Sequence, residues 1–184
     1  MQVLLCFVGL FAVATAHYCP PLWTSGPRGC YRYMSTPMSW ENARQRCMGF
    51  SSCDGGVGDL MSITSEAENN FASLLRAASN MANPAPSVWL GGTDAGRENQ
   101  WTWTNGQQWQ YTNWEQGQPN NQGGAENCLR YPGQRSVNQW DDWDCFTELP
   151  FVCHLFEHPG NAAGQPGQGQ PGQGGRPAFL LGHH

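Results

Sequence analysis

Apolar side chains recur along this chain in three rhythms, and each predicts a different kind of segment. Val3 to Val13 is almost unbroken apolar sequence, followed by the small-x-small tripeptide Ala14-Thr15-Ala16. That order predicts a secretory leader over residues 1–16 and a mature chain starting at His17, although no basic side chain precedes the apolar run. The run falls short of the roughly 18 residues that a bilayer span needs, and no other segment reaches that length. A helical rhythm begins at residue 39. Trp40, Ala43 and Cys47 share one face of SWENARQRCMG, with Ser39 as N-cap. In SEAENNFASLLRAASNM, Ser65 and Glu68 form a capping box, and Phe71, Leu74 and Leu75 mark the expected buried face.

The third rhythm is short and strand-like. Leu60-Met61-Ser62-Ile63 precedes the second helix. After Pro84 and Pro86 come Val88-Trp89-Leu90, Trp101-Thr102-Trp103, Cys128-Leu129-Arg130-Tyr131, Trp140 to Asp144 and Phe151-Val152-Cys153. Between Gln107 and Gln139 lies a Gly-, Asn- and Gln-rich stretch that only the Cys128 strand interrupts. A loop of that length in a compact domain is functional or disordered. Two helices, many short strands and one long loop predict an α+β fold. From about Gly160 the pattern dissolves into NAAGQPGQGQPGQGGRPAFLLGHH, with Gln-Pro-Gly-Gln-Gly nearly repeated from Gln165 and Gln170. Such a segment buries too little apolar surface to offset chain entropy, so a disordered Gly/Pro/Gln-rich tail is expected. It reads either as an inert extension or as a self-associating, matrix-binding segment. The expected division is therefore leader 1–16, folded domain 17–158 and tail 159–184.

Composition narrows the function. Charged residues make up 12% of the 184, about half the globular average. All nine basic residues are Arg, against 14 acids, for a net charge of -5. This excludes the basic patch of a nucleic-acid binder and a polybasic membrane anchor. Eight Cys in so short a chain indicate an oxidising compartment. Loss of the leader removes Cys6 and leaves seven, so one thiol is free or bonded to another chain. No Asn-x-Ser/Thr sequon is present, and N-glycosylation is not expected. Neither a Gly-rich phosphate loop nor a metalloprotease helix occurs. His154 and His158, spaced i, i+4, and the terminal His183-His184 read as solvated rather than as zinc ligands. No enzyme is expected. The tryptophans read as core, with Trp114, at the opening of the long loop, the exception.

Several motifs in fixed order carry a resemblance. They are Trp40-x-x-Ala43-x-x-x-Cys47, Trp89-Leu90-Gly91, Trp101-x-Trp103, Trp114-x-x-Gly117-Gln118-Pro119-Asn120, Glu126-x-Cys128, Trp140-Asp141-Asp142 and Phe151-x-Cys153. From about Cys19 to Cys153 this succession resembles the C-type lectin-like domain. The resemblance implies the long form of that fold, with disulfides Cys19–Cys30, Cys47–Cys153 and Cys128–Cys145. Cys53 is left over, for an interchain disulfide and dimer or for a free or capped thiol.

The resemblance also implies a calcium site in the long loop, with Gln118, Asn120, Glu126, Asp141 and Asp142 as ligands. Calcium takes oxygen ligands and its affinity follows their charge. A cis bond before Pro119 would turn the flanking side chains toward the metal, and only an X-Pro bond makes that inexpensive. A weak auxiliary site would use Asp94, Glu98, Asn121 and Asn127 together with Glu126. Gln118 stands where the family's mannose type has Glu, and Asp141 where Asn is usual. The pair Glu126 and Asp141 therefore offers a bridging sugar hydroxyl two acceptors and no donor. A mismatch of that kind costs about 1–3 kcal/mol, so tight monosaccharide recognition is not expected.

The N-terminal CPPLWTSGPRGCYRY, the lectin-like motifs and the tail together resemble the sea urchin spicule matrix proteins. That resemblance implies a secreted matrix protein of a calcium carbonate skeleton, which contributes to biomineralisation through weak calcium or mineral contacts and assembly with other matrix proteins. The alternative is a soluble calcium-dependent lectin of invertebrate immunity or adhesion, with glycans as partners.

Overall fold

The computed structural model describes residues 19–51, 56–79, 86–133 and 138–156. The leader, the tail, Cys53 and His158 lie outside the described residues. The elements run β1 (Thr24–Gly26), β2 (Gly29–Met38), α1 (Trp40–Met48), β3 (Val57–Leu60), α2 (Glu66–Ser79), β4 (Val88–Thr93), β5 (Thr102–Trp103), β6 (Glu126–Tyr131), β7 (Asp141–Asp144) and β8 (Leu149–Phe156). The strands form one sheet in the order β1-β2-β8-β4-β6-β7, with β3 also pairing β8 and β5 pairing β4. Two helices with a mixed sheet of short strands make the α+β class.

The strand latest in sequence is the centre of this sheet. β8 pairs antiparallel with β2, placing Cys30 opposite Leu155 and Met34 opposite Phe151. Its other edge takes β3, with Val57 opposite Phe156 and Leu60 opposite Cys153. Further along, Phe151 meets Trp89 of β4 in parallel. The run Phe151 to Leu155 is accordingly buried throughout. A strand covered on both faces loses the polar/apolar alternation of an open sheet.

α1 forms as its pattern indicates. Ser39 is its N-cap, with its carbonyl accepting from the N–H of Ala43 at 2.9 Å, and the buried residues are Trp40, Ala43 and Cys47. Cys47 bonds to Cys153 of β8, tying helix to central strand across 106 positions of sequence. In the chain-entropy model a loop of that size contributes about 4–5 kcal/mol. Cys128–Cys145 joins β6 to the turn after β7, and Cys19–Cys30 closes the N-terminal hairpin. Gly58 lets β3 lie close against α1, because a Cβ there would sit 2.1 Å from the Cys47 carbonyl oxygen. Gly29 adopts φ of 134° at the start of β2, a conformation that strains any side chain.

Three expectations are corrected. Leu74 of α2 is 70% exposed, and the helix buries Glu68, Asn69, Ala72, Leu75 and Arg76 instead. Phe71 and Leu75 do pack on the core, so the apolar phase fails only at Leu74, and the rest of the inward face is largely polar. Glu68 accepts from Arg28, from the Thr64 N–H at 2.7 Å and from the Thr64 hydroxyl at 2.8 Å. In the capping box Ser65 Oγ accepts from the Glu68 N–H at 3.3 Å, but the Glu68 carboxylate reaches Thr64 rather than the amide of Ser65. The hairpin of β1 and β2 carries no clean alternation and has no counterpart in the hydrophobic pattern. Only its Gly29-proximal residues are buried, and its long ladder to β8 holds the rest.

The third correction is His154, which is fully buried rather than solvated. Its Nε2 lies 3.0 Å from the Arg28 carbonyl, and its ring stacks on Tyr31 with centroids 4.2 Å apart. Burial lowers its pKa from 6.5 to about 4. The unfolded chain takes up a proton near pH 6.5, whereas the native ring stays neutral until about pH 4. Stability from this residue is complete above about pH 6.5 and is lost as pH falls toward 4. Over pH 7 to 4.5 the loss amounts to roughly 2–3 kcal/mol. Urea unfolding at those two pH values should show this decrement shrinking in His154→Gln relative to wild type. An equal decrement in both proteins would remove His154 as its source.

Candidate functional site

The hairpin of β6 and β7 is the floor of the candidate site. The register places Leu129 opposite Asp142 and Arg130 opposite Asp141, with an irregularity between Glu126 and Cys128. Cys128–Cys145 staples this hairpin. Trp140, just before β7, is buried, and its indole N–H donates to Asn69 Oδ1 of α2 at 2.8 Å. The same Asn69 oxygen accepts from the Tyr131 hydroxyl of β6. Helix and hairpin are thus joined at one buried amide, a connection absent from the sequence reading.

The long loop is rooted beside Trp140. Trp114 pairs with it in a short parallel bridge, with Trp140 N–H donating to the Asn113 carbonyl and Glu115 N–H to the Trp140 carbonyl, both at 2.8 Å. The half-buried Trp114 ring packs edge-on against Trp101 and Trp140, at centroid distances of 4.8 and 5.8 Å. It acts as a root of the loop as much as a surface. Beyond it the Gln118–Pro119 bond is cis. Asn121 then turns left-handed, at φ of 43°, into a single 3-10 turn over Gln122–Gly124.

Asp142 holds this bend. It is 1% exposed and accepts from the backbone N–H of Asn120 at 3.0 Å on Oδ1 and from that of Asn121 at 2.7 Å on Oδ2. Glu126 accepts from the Gln122 N–H at 2.9 Å, and its own N–H donates to Asn121 Oδ1 at 3.1 Å. The Asn121 amide nitrogen donates to Glu98 at 2.6 Å. Asp94 accepts from the Asn99 N–H at 2.9 Å, and Asn127 meets the Asp94 N–H through its carbonyl at 3.3 Å.

The structure therefore gathers Asn120, Asn121, Glu126, Asp142 and Glu98 into one network. Asp141 makes its hydrogen bonds outside this network, to Arg130, while its charge, like that of Asp142, acts on Glu126. Its Oδ2 accepts from Arg130 Nε at 3.0 Å and from a terminal nitrogen at 2.6 Å. The sequence reading took no account of Arg130. The available signal was a basic residue on β6 in register with an acid on β7.

The donor chemistry suits a hard cation. Gln118 Oε1, Asp94 Oδ1 and Asp141 Oδ1 are buried oxygens without a hydrogen-bond partner among the described residues. Every candidate ligand offers oxygen, the preference of calcium. Electrostatics point the same way. Burial raises the Glu126 pKa, and the nearby Asp142 and Asp141 raise it further. Burial likewise raises Asp94, with Glu98 and Asp142 adding to the shift. Burial raises Asp141 too, against the opposing pull of Arg130. Among the described residues, however, no three His, Cys, Asp or Glu side chains converge closely enough to hold a metal. A cation here would need the amides of Gln118 and Asn120 as well as the carboxylates.

Comparison with known proteins places this architecture. The family model of the lectin C-type domain matches residues 36–155. Echinoidin of Heliocidaris crassispina is 34% identical over 142 residues, covering 74% of this chain and 96% of echinoidin. The alpha-N-acetylgalactosamine-specific lectin of Patiria pectinifera is 31% identical over 162 residues, covering 82% and 94% of the two chains. The crystal structure of the C-type lectin CEL-I from Cucumaria echinata matches with a TM-score of 0.70 at 30% identity, over 76% of this chain and 99% of that one. With Asp142 under a cis-proline loop and β8 at the centre of the sheet, the chain belongs to the C-type lectin family.

Proposed function

We propose that this protein is a secreted, calcium-dependent glycan-binding lectin that recognises sugar through the loop around Pro119. The observation that carries this reading is the turn at Asn120 and Asn121 held by Asp142, together with Gln118 Oε1 and Asp141 Oδ1, which are buried without a hydrogen-bond partner among the described residues. Gln118, Asn120, Glu126, Asp141 and Asp142 would hold the ion. Bound there, calcium would supply open coordination positions for two neighbouring sugar hydroxyls. The protein's part would be to orient those hydroxyls: carboxylates would accept hydrogen bonds from them, and the Gln118 and Asn120 amides would donate to their oxygens. The named specificity of the Patiria lectin makes N-acetylgalactosamine the first sugar to try on this chain.

A second reading is supported by the composition of residues 159–184. A Gly/Pro/Gln-rich tail behind an acidic lectin-like domain suits a matrix protein of a calcium carbonate skeleton, in which acids contact mineral weakly and at many points while the tail mediates assembly. A leader over residues 1–16 and a disulfide-linked dimer through Cys53 fit either reading.

Retention on immobilised N-acetylgalactosamine or mannose in millimolar calcium, with elution by chelator, is the expected behaviour of the lectin. Failure across a broad glycan panel would overturn that reading. The matrix reading expects the protein in demineralised skeletal extract, and abundance in body fluid with absence from the skeleton would remove it.

Asp142→Ala should abolish any calcium-dependent rise in melting temperature. It should also lower the melting temperature of the chelated protein, because the part-buried N–H groups of Asn120 and Asn121 lose their acceptor, at a cost of about 1 kcal/mol. A calcium response equal to that of wild type would show that the ion binds elsewhere.

A further inference from the structure

Arg130 is placed where a cation at the loop site would have to reckon with it. It stands directly across from Asp141 in the β6–β7 ladder. Its side chain is 13% exposed and that of Asp141 is 6% exposed. Two of its nitrogens converge on the single oxygen Asp141 Oδ2, leaving Oδ1 buried without a partner. The guanidinium lies over the Trp143 ring, with Cζ 3.3 Å from its centroid. Stacking and a permanent charge make this an arginine position, since an ammonium would neither stack nor fork in the same way. Glu126, on the same strand, also lies within the field of Arg130.

We propose that Arg130 is a built-in counter-cation of the calcium loop, which holds Asp141 when no metal is bound and so sets the calcium concentration at which the site fills. This rests on the calcium reading above. Glu126, Asp141 and Asp142 carry three negative charges, and Arg130 reduces that sum to two. Calcium affinity follows ligand charge, and a nearby fixed positive charge repels an incoming divalent ion. To recruit Asp141, calcium must share its carboxylate with the guanidinium or displace it. Oδ1 is the oxygen left for sharing. The competing account makes the Arg130–Asp141–Trp143 group a cross-strand clasp with no bearing on metal. That account predicts a stability change without an affinity change.

The test is calorimetric titration of calcium chloride alone into the full chain, comparing wild type, Arg130→Gln and Arg130→Lys after chelator treatment. Arg130→Gln should bind calcium about tenfold more tightly than wild type, having lost the competing charge. Arg130→Lys should fall between the two, as it keeps the charge without the fork. Melting temperature gives an independent readout. Arg130→Gln should melt below wild type in chelator and show a larger calcium-induced rise. Equal calcium affinities in the three proteins, or weaker binding by Arg130→Gln, would overturn the counter-cation and leave the calcium reading standing. Absence of calcium binding in all three would remove the calcium reading and this inference together. Should Arg130→Gln not fold, an Arg130→Lys affinity equal to that of wild type would overturn the proposal.

Discussion

The functional end of this molecule depends on one buried carboxylate. Asp142 receives the backbone N–H groups of Asn120 and Asn121, and through them a loop about twenty residues away is held to the sheet. A carboxylate buried to this degree is stable only when its oxygens find donors, and the loop needs an acceptor for two amides that no strand satisfies. Each partner therefore answers the other's desolvation. The cis bond before Pro119, the left-handed Asn121 and the short turn over Gln122–Gly124 all lie within reach of that contact. What supports Asp142 is equally specific. Trp140, two positions earlier, is anchored to Asn69, and the β6–β7 hairpin is stapled by Cys128–Cys145.

Consecutive acids with different duties are the second theme. In the sequence, Asp141-Asp142 reads as a unit. On β7 the two carboxylates have separate partners: Asp142 serves the loop amides, and Asp141 pairs with Arg130 over the face of Trp143. A sum of charges over the motif hides this division, because one acid carries its own counter-ion and the other does not. The aromatic side chains show no such split. Trp103 and Trp109 pack edge to face on Trp140, Trp101 and Trp103 meet Trp109 at tilts of 31° and 32°, and Trp114 joins the same cluster.

Much of the fold was legible because apolar period and burial agree wherever an element presents a single apolar face. α1 is such an element, with Trp40, Ala43 and Cys47 inward. The strands around Trp89, Leu129 and Val152 are likewise short apolar runs that end up buried. Legibility failed where polar groups do the packing. α2 turns Glu68, Asn69 and Arg76 inward and leaves Leu74 outside, since Arg28, Tyr131, Trp140 and the Pro132 carbonyl satisfy those side chains across the core. β2 shows no clear pattern because its outer residues are only partly buried or exposed, and a backbone ladder to β8 aligns them. His154 sits in β8 with its polar edge on the Arg28 carbonyl, a partner more than a hundred residues away in sequence. For the site, the disulfide pairing and the ligand set came from family resemblance, not from spacing. Arg130 required strand register, which a linear sequence does not state.

The position of β8 has a consequence for how the chain is made. Synthesis proceeds from the N-terminus, yet β2, β3 and β4 all lean on a strand that emerges after them. Until residues 149–156 are available, those strands present open edges, and the thiol of Cys47 has no Cys153 to meet. The central pairings and the Cys47–Cys153 bond can therefore form only once the last strand has emerged. The domain's quality control falls on the interval when exposed β edges and unpaired cysteines coexist.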